Sequence, residues 1–181
     1  MGNLRTLVYA LTSIVSTAAL AHADEAPLSV CDALARRAEF NHKVIAIRGV
    51  FLTDEGSWLM SNNCGTLATP EFKWPAMIWI ESSKEAQQSA GFHDEPYQTQ
   101  VKNINAELQK QGYDRKRHEI WLTYIGRFET FEDLRRQGKP VGYGFGHLNS
   151  APARLIVNEA KDLQIKPSPS QAPMKKTEKH Q

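Results

Sequence analysis

The chain has 181 residues and a formal net charge of +2, with 41% apolar and 23% charged residues, a globular composition that supports one domain with its own core and not two comfortable ones. The charge is uneven. Residues 166–181 carry four lysines against Glu178, while residues 24–165 are slightly acidic, so the alkaline character belongs to the end of the chain and argues against a basic nucleic-acid face, which needs several closely placed Lys or Arg.

Arg5 is the only charge in residues 1–23. It precedes an apolar run over 7–20 and the sequence Ala21-His22-Ala23, with small residues at the two positions a signal peptidase requires. We read residues 1–23 as a cleaved secretory signal and expect the mature chain to begin at Asp24, in the periplasm or outside the cell, with no membrane span after cleavage. The run is too short and too hydroxylated for a spanning helix. Cys31 follows a bulky Val30 and lies too far along for a lipid attachment site.

Ser29 suits the cap of a first helix with Asp32 as its reciprocal partner, and Asn41 ends that segment. A strand over 43–52 follows, β-branched and apolar on both faces, with Gly49 marking a bend. The turn Asp54-Glu55-Gly56 leads into a second strand over 57–61 that carries Trp58 and Met60 on one face. After an irregular stretch through Pro70 and Pro75, residues 77–80 form a short third strand. Tyr97, Val101, Ile104 and Leu108 recur at helical spacing behind Pro96, and Gly112 stops that helix. A fourth strand over 119–130 points Ile120, Leu122, Tyr124 and Phe128 inward and bends at Gly126. A loop of about twenty residues then precedes a fifth strand over 153–160.

The elements therefore run β-β-β-α-β-β after an N-terminal helix. That predicts a mainly β fold, a five-stranded OB-like barrel over residues 24–165 with a helix plugging one end; an open α+β sheet is the competing arrangement. Residues 166–181, with three prolines and little to bury, are expected to form a disordered basic tail.

Cys31 and Cys64 are an even pair in a chain sent to an oxidising compartment, so we expect a disulfide. No metal or cofactor is expected. His42, His93, His118 and His147 are scattered, and the consecutive His93-Asp94-Glu95 does not converge on one ion.

The sharpest local feature is 141–152, where Gly142, Gly144 and Gly146 alternate with Tyr143 and Phe145 ahead of His147 and Asn149. These glycines lack the flanking strand and helix of a dinucleotide fingerprint. Two readings are open. The loop is a ligand contact using Tyr143, Phe145, His147 and Asn149, or its glycines pack tightly on the barrel mouth while the polar pair satisfies the loop backbone. Of the four tryptophans, Trp58, Trp79 and Trp121 sit at strand positions and are expected in the core. Trp74, between Lys73 and Pro75, is expected at the surface as a binding candidate. Glu129, Glu132 and Asp133, close to Arg135 and Arg136, read as a solvated charged stretch. No Gly-x-Ser-x-Gly elbow is present, and no catalytic residue is assigned.

Arg48-Gly49-Val50, Gly126-Arg127-Phe128-Glu129-Thr130 and the run from Gly144 through Leu155 resemble segments of uncharacterised exported bacterial proteins related to the OB-fold, anticodon-binding-like group. The resemblance implies a fold and no activity. The function expected is an exported non-catalytic binding or structural module of unknown ligand or protein partner. Its rivals are an OB domain for single-stranded nucleic acid, which compartment and charge disfavour, or for oligosaccharide, and a hydrolase using the His147 loop.

Overall fold

The computed structural model describes residues 26–53, 55–61 and 63–169. The expected signal segment and Asp24, the turn residue Asp54, and the tail from 170 onward lie outside the described residues.

The chain is mainly β with few helices. β1 (Leu28–Ser29) pairs in parallel with β2 (Val44–Leu52), which forms a hairpin with β3 (Trp58–Met60). A separate two-stranded ribbon, β4 (Thr66–Ala68) and β5 (Lys73–Pro75), precedes β6 (Met77–Glu81). β7 (His118–Thr130) and β8 (Ala153–Pro167) are the long strands. Pairing runs β2-β3-β6-β8-β7, and β7 pairs back to β2. The five strands thus close into a barrel, mixed because β6 and β8 run parallel.

The inward positions alternate as a period of two requires. Ile45 and Ile47, Leu59, Ile78 and Ile80, Leu122, Tyr124 and Phe128, and Leu155 and Val157 form one buried core. Trp58 is buried as expected, but in a second apolar cluster outside that core. Trp79 is only half-buried against that cluster and Trp121 half-buried elsewhere, which corrects the expectation for those two. Trp58 and Trp79 face each other in register, as do Met60 and Met77. These pairs occupy the outward parity of β3 and β6. Trp121 is half-buried on the outside too, with the Lys166 ammonium 4.2 Å from its ring centroid.

Helices cover the barrel. α1 (Val30–Ala35) is capped by Ser29, whose hydroxyl oxygen accepts from the Asp32 amide at 3.0 Å. With α2 (Arg37–Phe40) it places Val30, Ala33, Leu34 and Phe40 on the core. α3 (Lys84–Ser89) sends Gln87 inward, where its amide donates to the Val157 carbonyl at 2.7 Å. α4 (Asp94–Lys110) lays Tyr97, Val101, Ile104 and Leu108 against the core. Tyr97 hydrogen-bonds Tyr124 inside the barrel, and burial pushes the Tyr124 phenol well above its ordinary range. α5 (Phe131–Arg136) follows β7 directly.

Two bounds differ from expectation. β8 continues to Pro167, so Lys166 and Pro167 belong to the barrel and not to a tail. The stretch around Pro70 and Pro75 is not irregular but holds the β4–β5 ribbon. A disulfide joins Cys31 in α1 to Cys64 in the β3–β4 connection, with Cα atoms 5.6 Å apart. It ties the N-terminal helix to the segment that follows the second barrel strand.

Candidate functional site

The outer face of β3 and β6 would be an open aromatic platform if it faced solvent. It carries Trp58 and Trp79 in edge-to-face contact, ring centroids 4.6 Å apart, beside Met60 and Met77. It is instead largely covered, with Trp58 buried and Trp79 and both methionines half-buried. The β7–β8 connection crosses it and contributes Phe145, Ala151 and Leu134 to a second apolar cluster with Trp58, Trp79 and the methionines.

Three glycines permit that crossing. Gly142 lies under the Phe72 ring, Gly144 against Trp74 and the Ala151 carbonyl, and Gly146 on the face of Trp79; a Cβ at any of them would overlap those atoms. Gly146 also has φ +72°, open to glycine and strained for a side chain. Gly56, in the β2–β3 turn, presses on the same Trp79 ring. Trp79 is therefore held between two turns that lie far apart in sequence.

Among the described residues most of the loop's backbone hydrogen bonds close within 140–151: Tyr143 to the Pro140 carbonyl, Gly144 to Asn149, a Phe145–Ala151 pair, and Asn149 to Gly146. At its end the Pro152 carbonyl accepts from the Phe131 amide at 2.9 Å. Among the described residues the loop rests on the barrel through rings and through a contact of His147 Nε2 with Glu55 Oε2 at 3.4 Å.

The predicted site residues divide accordingly. Trp74 is 1% exposed, packed between Phe72 and Phe131. In a three-residue strand Lys73 and its neighbour Pro75 take the outer parity and the tryptophan between them turns inward. It supports the loop from beneath and cannot meet a ligand directly. Phe145 is also buried, under the Arg154 guanidinium at 5.1 Å. Tyr143 is half-buried with the Lys139 ammonium over its ring. His147 is exposed, and Asn149 adopts φ +55° with its carbonyl accepting from Gly144. The glycines thus follow the packing reading of the sequence, while the polar pair sits at the outer turn of the loop.

Sequence reasoning missed the residues that do face solvent. The exposed large apolar side chains among the described residues are Phe72, Val141 and Leu148, 40%, 51% and 81% exposed. All three lie on this loop or against it. Leu148, at φ +52°, is held outward by a left-handed turn that a leucine seldom adopts. A Leu between His and Asn, and a Val between Pro and Gly, were the available signals.

Beside the loop a cleft of about 460 Å³ is lined by His42, Glu129, Asp133, Arg136, Phe145 and Arg154 among others. Glu129 is buried and gripped by Arg127 at 2.8 Å and Arg154 at 2.6 Å. Asp133 takes the Asn41 amide, His42 and Arg136. Burial raises its carboxyl, but the Asn41 and Arg136 hydrogen bonds and the nearby His42 outweigh this and hold it below the usual range. Glu132 pairs with Arg37 at 2.7 Å. These acids are thus not a loosely solvated stretch. Glu132 and Asp133 tie α5 to α2 and to the residues just after it, while Glu129 ties β7 to β8 through Arg154.

Among the described residues no group of three or more His, Cys, Asp or Glu is placed to hold a metal ion. Comparison with family models, with curated proteins and with solved structures finds no match to this chain. The class the structure itself defines is a closed five-stranded mixed barrel whose outer aromatic face is covered by its own glycine loop.

Proposed function

We propose that the chain is an exported, non-catalytic binding module built on an OB-like barrel, with the 141–152 loop as its recognition element. The barrel order, the α4 helix between its third and fourth strands and the parallel pairing of β6 with β8 support the OB likeness. The disulfide is compatible with an oxidising location, and no helix among the described residues is long and apolar enough to cross a membrane. One observation carries the reading. The face on which an OB barrel would stack a base or a sugar is filled by Phe145 and Gly146, and the apolar groups left exposed are those of the covering loop and the ring beneath it. What the module offers a partner is the loop.

Photo-crosslinking tests this. A benzophenone amino acid at Leu148 should yield discrete adducts in cells that export the protein. The same group at the exposed Lys102 of α4 should yield none. Adducts from the helix position alone, or from neither, would contradict the proposal.

A further inference from the structure

The end of the loop opposite Leu148 has its own character. Phe72 stands in a tight turn at the tip of the β4–β5 ribbon: the Thr69 amide donates to the Phe72 carbonyl at 2.8 Å, and the Phe72 amide donates to Thr69 Oγ1 at 3.1 Å. The Phe72 ring packs on Gly142, so Val141 and Phe72 stand side by side on two turns, each with an exposed proline, Pro140 and Pro70. Both tips are held by their own hydrogen bonds.

The charges beside these tips are not balanced. Glu71 is already engaged by Arg135 at 3.4 Å. Asp133 and Glu132, on the adjoining helix, are held by Arg136 and Arg37. Lys73 and Lys139, which flank the apolar pair, are exposed and have no carboxylate partner among the described residues; Lys139 only leans over the Tyr143 ring. An exposed ridge of Phe and Val between two unneutralised lysines suits an interface where rings sink below a plane of negative charge and ammonium groups stay in it. Lysine is depleted where protein surfaces meet, which disfavours an acidic protein as the occupant.

From this we infer that the Phe72–Val141 ridge, with Lys73 and Lys139, docks the module on an anionic lipid surface. The inference rests on the loop being the recognition element and names what one end of it meets. The lysines at 175, 176 and 179 supply a second basic segment in the sequence, in keeping with the two signals that stable membrane attachment requires.

The test is co-sedimentation of the exported, purified protein with vesicles of phosphatidylcholine alone and of phosphatidylcholine with about one-third phosphatidylglycerol. Binding should be confined to the anionic vesicles and should weaken as salt rises. Each lysine near such a surface contributes roughly fivefold, so Lys73→Gln/Lys139→Gln should lose about thirtyfold. Phe72→Ser/Val141→Ser should lose about tenfold at unchanged charge, with unaltered circular dichroism in both cases and unaltered melting for the lysine variant; the apolar variant, which loses the Phe72 contact with Trp74, is read well below its own melting temperature. Neutralising Lys175, Lys176 and Lys179 together should weaken binding yet leave the preference for anionic vesicles. Equal binding to both vesicle types, no binding, or full binding by both ridge variants would overturn the inference. If the vesicle result is negative while Leu148 crosslinks persist, the ridge inference fails and the module reading stands; an adduct there to an acidic protein would name the other occupant.

Discussion

Gly126→Val is expected to destabilise the protein by about 3 kcal/mol or more, the upper part of the range for forcing methyl groups into a close-packed site. Gly126 sits in β7 where its pairing with β8 changes register, and a Cβ there would run into the Ile156 carbonyl and the Val157 Cα. Those are backbone atoms, so no rotamer change relieves the overlap. β7 cannot retreat either, because its other edge pairs with β2 through Ile45. The barrel would have to open on one side or the other. At roughly 3 °C per kcal/mol for a domain of this size, the melting temperature should fall by about 10 °C. Gly126→Ala should show a smaller loss in the same direction. Thermal unfolding followed by far-ultraviolet circular dichroism reads both, and a wild-type melting temperature for the valine variant would mean that β7 and β8 are not paired at this register.

The second large effect is expected from the disulfide. Cys31 and Cys64 are 33 residues apart in sequence, and in the chain-entropy picture closing a loop of that length contributes on the order of 3 kcal/mol by restricting the unfolded chain. Cys31→Ala/Cys64→Ala should therefore melt about 10 °C below wild type while keeping its circular dichroism spectrum. Nothing in the barrel core depends on the sulfurs, since Val30, Ala33 and Leu34 still seat α1 on it. Addition of a thiol reductant to the wild type should reproduce the shift. Quantitative alkylation of both cysteines in denatured, unreduced protein would contradict the bridge.

Much of this fold could be read locally. The Ser29 cap, the Tyr97–Leu108 periodicity, the β2–β3 hairpin and the glycine at 126 each declare themselves within a dozen residues, because capping, helical period and turn chemistry are short-range effects. The closed barrel follows from their order and from strands apolar enough to be buried. What escaped was non-local or too short. β4 and β5 have three residues each and are bounded by Gly65, Pro70 and Pro75, so no periodicity develops and Trp74 reads as a loop residue. Trp58 and Trp79 look like core by composition. Their outward parity becomes visible only with the register in hand, and their cover comes from Phe145 and Gly146, more than sixty residues downstream of Trp79. The acids at 129, 132 and 133 look solvated beside Arg135 and Arg136, but their partners include Arg37 and Arg154, far along the chain.

The 141–152 segment shows the same division. Its alternating glycines mark close approach, and the sequence leaves open whether a ligand or the chain itself is what approaches. The structure places three of the protein's own rings there. The exposed apolar side chains on and against the segment then become the groups available to a partner.

Seating of Gly146 on the Trp79 ring is the contact on which this arrangement turns, and proton nuclear magnetic resonance observes it directly. The Hα protons of Gly146 should be displaced upfield by the indole ring current, with nuclear Overhauser effects from Gly146 to the Trp79 ring protons. Unshifted, averaged Gly146 resonances with no such effects would show the loop lifted from β6 and the Trp58–Trp79 face open to solvent, contradicting a module that presents its loop in place of its barrel.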